Sequence, residues 1–183
     1  MASTLKVQNI QHTGGTAAQT IQTSGAVSTP NVPFCRITVS GASNPGYGGS
    51  TPDTVPITIS NAKGITTPAT NQFGVSLTGI YRWEGSFRFS SGTTANYYWL
   101  ALYDVTNSRY HNSTTINGGT FTADPIPYKL ILPSTASSFG TVNFGHIYQL
   151  EAGDAYAVHA GISGGATHVY ERTQTEMTLI FVG

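Results

Sequence analysis

Charged side chains are scarce in this 183-residue chain: Asp, Glu, Lys and Arg make up 9% of it, where about 25% is usual. The 8 basic residues balance the 8 acidic ones, so the formal net charge is zero. A nucleic-acid-binding protein needs a concentrated basic face for phosphates, and this composition argues against one. Near-zero net charge also promotes association, which suits a protein that works within an assembly.

Cysteine and long apolar runs are also nearly absent. Cys35 is the single cysteine, so no internal disulfide can form. It lies within an apolar strand pattern, which predicts a small, buried hydrophobic side chain. No stretch approaches the roughly 20 apolar residues of a membrane span. Residues 1–10 contain one lysine and no apolar stretch of the kind that secretion requires. We therefore expect a protein made in a cytoplasm and not inserted into a membrane.

The sequence has no amphipathic helix pattern. Turn formers are frequent, with 21 Gly and 9 Pro, and the segments between them are rich in β-branched and aromatic residues, which favours short strands. Eight to ten such strands follow residue 32, and this spacing is typical of a sandwich or jelly roll. We predict an all-β jelly-roll β-sandwich over residues 28–183, preceded by a short extended arm, residues 1–27.

The arm is small, polar and without an aromatic side chain. Residues 10–15 (IQHTGG) are echoed eleven residues later by residues 21–26 (IQTSGA), but two copies are too few for a solenoid. Each copy could form a short strand and a glycine turn. Because an isolated two-stranded hairpin is marginal in water, we expect the arm to fold against its own copies in an oligomer or against a docking partner. A frayed terminus is the alternative.

Two aromatic-rich runs stand out in the sandwich segment. In the first, Tyr81, Trp83, Phe87 and Phe89 alternate with polar residues, which predicts a strand with one face in the core and the other in water. In the second, residues 97–103 (YYWLALY) are apolar or aromatic at both odd and even positions, so both faces of the predicted strand are hydrophobic. A soluble chain must cover the outer face of such a strand, and another subunit is the simplest cover.

Three motifs resemble the trimeric jelly roll of the complement-head and tumour-necrosis-factor-like superfamily. They are residues 73–75 (FGV) leading to 79–81 (GIY), the turn 150–154 (LEAGD) followed by 155–158 (AYAV), and the end 178–183 (TLIFVG). The resemblance implies a homotrimer in which the strand with an aromatic outer face packs around the threefold axis; which of its two parities faces the axis stays open. The interface residues it implies are Tyr97, Trp99, Ala101, Tyr103 and Phe181.

The start of the chain resembles the amino-terminal segments of tail-fibre and virion-surface proteins of bacteriophages, cyanophage-like ones especially, in residues 3–11 (STLKVQNIQ) and the Thr-Gly-Gly that follows. This implies a phage structural protein on the virion surface, attached to capsid or tail proteins through its arm. The attachment residues it implies are Leu5, Val7, Ile10 and Ile21. Two roles stay open: a capsid decoration or cement protein, and a short tail fibre or receptor-binding protein that recognises host-surface glycan.

Catalytic and metal-site patterns are weak. Residues 161–165 (GISGG) match the nucleophile-elbow pattern, but no helix pattern follows, and no acid and then histidine come after Ser163 as that mechanism requires. His146 and His159 could meet across adjacent strands as a threefold-repeated metal site; histidines satisfied by the backbone are the alternative. Asp154 could bind calcium, although aspartate after glycine is first a turn residue. We expect no enzymatic activity, no cofactor and no resident metal.

Surface recognition is the remaining candidate chemistry. Loops at residues 44–51, 106–119 and 163–167 carry Tyr47, Tyr110, His111 and several asparagines. Aromatic faces beside amide and hydroxyl groups are what sugar binding uses, so these three residues are candidates for a ligand site. The same residue types are also ordinary loop composition.

Overall fold

The structure is a computed structural model that describes residues 9–11, 17–21, 23–24, 27–28, 32–40, 47–48, 53–91, 97–110, 128–131, 140–162, 167–170 and 174–183. The chain divides into two compact units, Met1–Val32 and Pro33–Gly183; the sequence predicted the arm to end at residue 27. Strands β1 (Asn9–Gln11), β2 (Ala17–Ile21) and β3 (Val27–Ser28) form an antiparallel sheet in the first unit. Within the echo, residues 10, 11 and 21 belong to strands and residues 23–24 form a turn.

The second unit contains two mainly antiparallel sheets and, within the described ranges, no α-helix. Its strands are β4 Phe34–Val39, β5 Tyr47–Gly48, β6 Asp53–Thr54, β7 Ile57–Lys63, β8 Ile65–Thr66, β9 Phe73–Val75, β10 Gly79–Ser91, β11 Tyr97–Asp104, β12 Arg109–Tyr110, β13 Tyr128–Ile131, β14 Gly140–Leu150, β15 Ala155–Ile162, β16 Thr167–Tyr170 and β17 Glu176–Phe181. Sheet 1 has the order β5-β16-β10-β17-β4-β7, with β14 also paired to β10. Sheet 2 has the order β12-β11-β15-β9-β8, with β13 paired to β11 and β6 to β15.

These strands confirm the all-β prediction. The sequence pattern also predicts short strands around Ile116 and Phe121, and these lie outside the described residues. In the part of the chain that is described, no helix is long and apolar enough to cross a membrane.

The core lies between the two sheets and follows the period of two that a strand imposes. On β10 the alternation is as predicted: Tyr81, Trp83 and Phe87 are fully buried while Arg82 is exposed. Cys35 is buried among these residues, as expected, and desolvation raises the pKa of its thiol to about 12. A thiol held in its neutral form acts as a small hydrophobic group.

Gly85 lies at the centre of β10, where the backbone of β17 comes unusually close. A Cβ at this position would lie 2.2 Å from the carbonyl oxygen of Glu176 and 2.7 Å from the Cα of Met177. Both neighbours are backbone atoms, which cannot move aside as a flexible side chain would. Glycine at the middle of the aromatic run therefore lets the two central strands of sheet 1 pair.

The turn between β14 and β15 forms where the sequence predicted it, at residues 150–154. Gly153 has φ +95°, a value that favours glycine. The Glu151 N–H donates to the Tyr156 hydroxyl at 2.8 Å, so the first aromatic side chain of β15 holds the turn against the sandwich. Asp154 acts as a turn residue, since its N–H donates to the Glu151 carbonyl at 3.3 Å.

Candidate subunit interface

The outer face of sheet 1 carries a contiguous patch of exposed hydrophobic side chains, which we call the apolar patch. Four residues on neighbouring strands lie side by side across this face. Phe34 on β4 pairs with Ile180 on β17, which pairs with Arg82 on β10. Arg82 in turn pairs with Ile147 on β14. Opposed side chains on one face lie about 4.5–5.5 Å apart, so the row is continuous. The patch consists of the exposed Phe34, Ile80, Ile147 and Val182 and the half-buried Ile180.

The exposure of the patch is large for hydrophobic side chains. Ile147 is 59% exposed, Val182 52% and Phe34 41%. Single exposed hydrophobic residues are ordinary, but a contiguous group of them marks an interaction surface. Two ion pairs lie on this face: Arg36 contacts Glu176 at 2.7 Å, and Arg82 contacts Glu84 at 3.1 Å. The patch thus combines exposed hydrophobic side chains with ion pairs, one of which, Arg82–Glu84, lies between Ile180 and Ile147.

The outer face of sheet 2 is different, because its hydrophobic positions are already covered in the single chain. Ala101 and Ala157 are each 1% exposed, although both point away from the core side of their strands. Leu100 and Leu102 face the core. Of the outward side chains of β11 that the structure describes, Ala101 is buried and Tyr103 is half-buried within one chain, so much of this face is covered without another subunit.

The three predicted interface residues whose side chains are described do not form one surface on a single chain. Ala101 and Tyr103 lie on the outer face of sheet 2, whereas Phe181 belongs to β17 of sheet 1. Phe181 is half-buried against the core, and its ring meets that of Tyr81 edge-on at 5.2 Å between centroids. The side chains of Tyr97 and Trp99 lie outside the described residues, and their role stays a prediction.

A polar-aromatic cluster occupies the outer face of sheet 2, formed by Thr54, Tyr103, Tyr110 and His159. The His159 ring stacks on Tyr103, with centroids 4.4 Å apart and planes 15° from parallel. Its Nε2 lies 3.1 Å from the Thr54 Oγ1, and its Nδ1 lies 2.9 Å from the Tyr110 hydroxyl. Desolvation lowers the pKa of His159 to about 4 and raises the pKa of Tyr110. The cluster is therefore neutral at physiological pH.

This cluster corrects two interpretations made from the sequence. Tyr110 was a candidate for an exposed ligand loop, but it belongs to β12 and is 3% exposed, because the β11–β12 hairpin folds it onto Tyr103 and His159. His146 and His159 do not face each other across adjacent strands, since β14 belongs to sheet 1 and β15 to sheet 2. The alternation in the sequence indicates which face of β15 carries His159. It does not indicate the partners of His159, which come from strands distant in sequence.

The other predicted site residues are largely outside the described side chains. His111, Leu5 and Val7 lie outside the described residues. For Tyr47 and Ile10 only the backbone is described, in β5 and β1, and Ile21 is half-buried at the end of β2. Their roles in ligand binding and attachment stay predictions.

Asp104 is a fully buried carboxylate with a structural environment. It accepts hydrogen bonds from the N–H of Asn107 at 3.0 Å and the Nδ2 of Asn107 at 2.9 Å, and it pairs with the Arg109 Nε at 3.2 Å. These contacts hold the turn that follows β11. Among the described residues, no group of three or more His, Cys, Asp or Glu could hold a metal ion.

An open cleft lies beside β7, the edge strand of sheet 1, under the segment that connects β8 to β9. Its volume is about 500 Å³, within the range of small-molecule sites. Sequence reasoning missed it because its walls come from separate segments with no distinctive motif. The lining residues are Ser40, Ile57, Ile59, Thr67, Ala69, Thr70, Asn71 and Gln72. We call it the β7 cleft.

Comparison with known proteins identifies the fold and nothing finer. No protein-family model matches the chain, and no curated protein matches it in sequence. Among solved structures, it is similar to the Eiger TNF of S. frugiperda, with TM-score 0.58 and 13% identity over 84% of this chain and 94% of that one. Murine APRIL gives TM-score 0.53 and 13% identity over 82% and 99%. The second unit is a TNF-like jelly-roll sandwich, as its motifs predicted.

Proposed function

We propose that this protein is a non-enzymatic homotrimer on the surface of a phage virion, where it decorates or stabilises the head. The observation that carries the assembly is the apolar patch on sheet 1. Ile147 and Val182 are exposed hydrophobic side chains. Their burial against a second copy stabilises the assembly by about 25 cal/mol for each Å² of apolar surface removed from water. A closed oligomer would cover the patch on every subunit at once.

The number of subunits rests on the superfamily resemblance, and the virion location rests on the resemblance of residues 3–11 to phage surface proteins. In this proposal the arm attaches the trimer to other virion proteins through Leu5, Val7, Ile10 and Ile21. The low charge of the chain supports a structural role, because it leaves few ionic groups to oppose close association.

Light scattering tests the assembly. The purified chain should have three times its mass of 19.3 kDa. Ile147→Asp places a charge at the most exposed side chain of the patch and should reduce the mass to that of one chain without unfolding it. The matched control is Thr141→Asp, an exposed position on the same face of β14 and six residues away. A wild-type mass of one chain would refute the trimer, and loss of assembly in both variants would refute the patch as its interface.

The second candidate is a short tail fibre or receptor-binding protein that recognises host-surface glycan. The observation that favours it is the β7 cleft, an open site without charged lining residues. Copy number in purified particles separates the two roles: hundreds of copies would contradict the fibre, and a few tens or fewer would contradict head decoration.

A further inference from the structure

We propose that the β7 cleft binds a neutral, hydroxyl-rich ligand, which is the chemistry of a saccharide unit. This inference rests on the second candidate function for its biological setting, but the site itself is a property of one chain. It places ligand binding at the edge of the sandwich rather than at Tyr47, Tyr110 and His111.

The lining of the cleft determines the charge of the ligand. It contains three hydroxyl side chains and two amide side chains and no ionisable group. A charged ligand would lose part of its water there without gaining an ionic partner, which is unfavourable. Hydroxyls and amides both donate and accept hydrogen bonds, so together they match a ligand that carries many hydroxyls. Ile57 and Ile59 supply an aliphatic wall for its C–H surface.

Backbone groups of β7 add to this set of partners. The Ser40 N–H donates to the Pro56 carbonyl at 2.8 Å, so Pro56 and, by alternation, Thr58 direct their backbone groups toward β4. The backbone groups of Ile57 and Ile59 then point away from β4, to the edge where the cleft lies. The Ile57 N–H donates to the Asn71 Oδ1 at 3.2 Å, which fixes one side chain of the lining.

The same geometry disfavours an added peptide strand, which is the usual ligand of a sheet edge. A strand that pairs with β7 would need a run of outward N–H and carbonyl groups. The Ile57 N–H is already bonded to Asn71, and Asn61 has φ +47°, outside the strand region. Only Ile59 between them keeps both strand geometry and outward backbone groups. A compact ligand that needs few backbone partners fits this edge better than an extended one.

Titration of the labelled full-length chain by heteronuclear NMR tests the proposal. The neutral probes are methyl galactoside, N-acetylglucosamine and maltose, the charged probes are glucuronate and N-acetylneuraminate, and tetrathreonine amide represents an extended peptide. At least one neutral sugar should shift the amide signals of Ile59 and of residues 69–72 at millimolar concentration, and the charged sugars should shift them less.

Two variants locate the binding. Ala69→Trp fills the cleft and should weaken binding by about tenfold or more, equivalent to at least ~1.4 kcal/mol. Its matched control is Ala62→Trp, an exposed alanine on β7 that does not line the cleft. Thr70→Val keeps the side-chain shape and removes one hydroxyl, so it should weaken binding to a smaller extent and serves if the tryptophan perturbs folding.

Four results would overturn the inference: no shift with any neutral sugar, equal shifts with the charged sugars, unchanged binding in both cleft variants, or shifts with the peptide alone. The outcome is separable from that of the trimer. Ala69 lies outside the apolar patch, so the Ala69→Trp variant should keep the wild-type mass, and the Ile147→Asp chain should still bind the sugar. Loss of one property without the other identifies which proposal has failed.

Discussion

The two outer faces of the sandwich reverse what their sequences lead one to expect. Sheet 2 contains the strand that is apolar on both parities, yet Ala101, Ala157 and Tyr110 are covered within the chain. Sheet 1 has ordinary alternating strands, yet its outer face exposes Ile147 and its neighbours. A hydrophobic run therefore shows how much apolar surface a strand has. Whether another subunit must cover that surface depends on how the chain folds over it.

The largest expected effect tests the covered face. Ala157→Asp would bury a carboxylate on the outer face of sheet 2, opposite Tyr103, and should lower the free energy of unfolding by about 4 kcal/mol. The measurement is denaturant unfolding in the Ile147→Asp background, so that assembly does not contribute. Ile147→Asp itself should leave a folded chain, because its side chain is 59% exposed. A small loss of unfolding free energy in Ala157→Asp would show that the outer face of sheet 2 is open to water. The contrast between the two outer faces would then not hold.

A somewhat smaller effect is expected within sheet 1, where the open outer face accompanies a tight strand pairing. Gly85→Ala should lower the free energy of unfolding by about 3 kcal/mol, because the new Cβ would lie 2.2 Å from the Glu176 carbonyl oxygen. Gly145→Ala on the neighbouring strand is the control. Its Cβ would lie no closer than 3.9 Å to Glu84, so we expect a change within about 0.5 kcal/mol. Equal losses at both positions would contradict the close approach of β10 and β17.

Local patterns explain why the strands and turns could be predicted. The alternation on β10 and the glycine-aspartate turn before β15 depend on neighbours in sequence, and both appear where expected. The turn after β11 is similar, since Asp104 accepts from the N–H of Asn107 three residues later.

The surfaces could not be predicted in the same way, because their members are distant in sequence. The apolar patch takes single residues from separate strands, so no run of sequence signals it. Tyr110 has a loop-like context, and its burial depends on His159, 49 residues away. The β7 cleft combines Ser40 with residues 67–72 for the same reason. In each case the sheet register brings the residues together, and a single sequence does not contain the register.

The smallest expected effect concerns the polar-aromatic cluster and sharpens the account of how sheet 2 is covered. Because Tyr110 stays protonated, its hydroxyl can donate to the His159 Nδ1, which leaves the Nε2–H to donate to Thr54. This arrangement requires a neutral imidazole. The pKa of His159 is lowered from 6.5 to about 4 in the folded chain, so the unfolded chain binds the proton first as the pH falls.

The sign of the pH dependence follows from that difference. Stability is complete above pH 6.5 and is lost as the pH falls toward 4, with a decrease of about 2 kcal/mol between roughly pH 7 and pH 5. Denaturant unfolding of the Ile147→Asp chain at both pH values measures it. His159→Gln removes the titrating group, and its unfolding free energy should fall by correspondingly less over the same interval. Identical pH dependence in the two chains would mean that water reaches His159, and hence that the outer face of sheet 2 is as open as that of sheet 1.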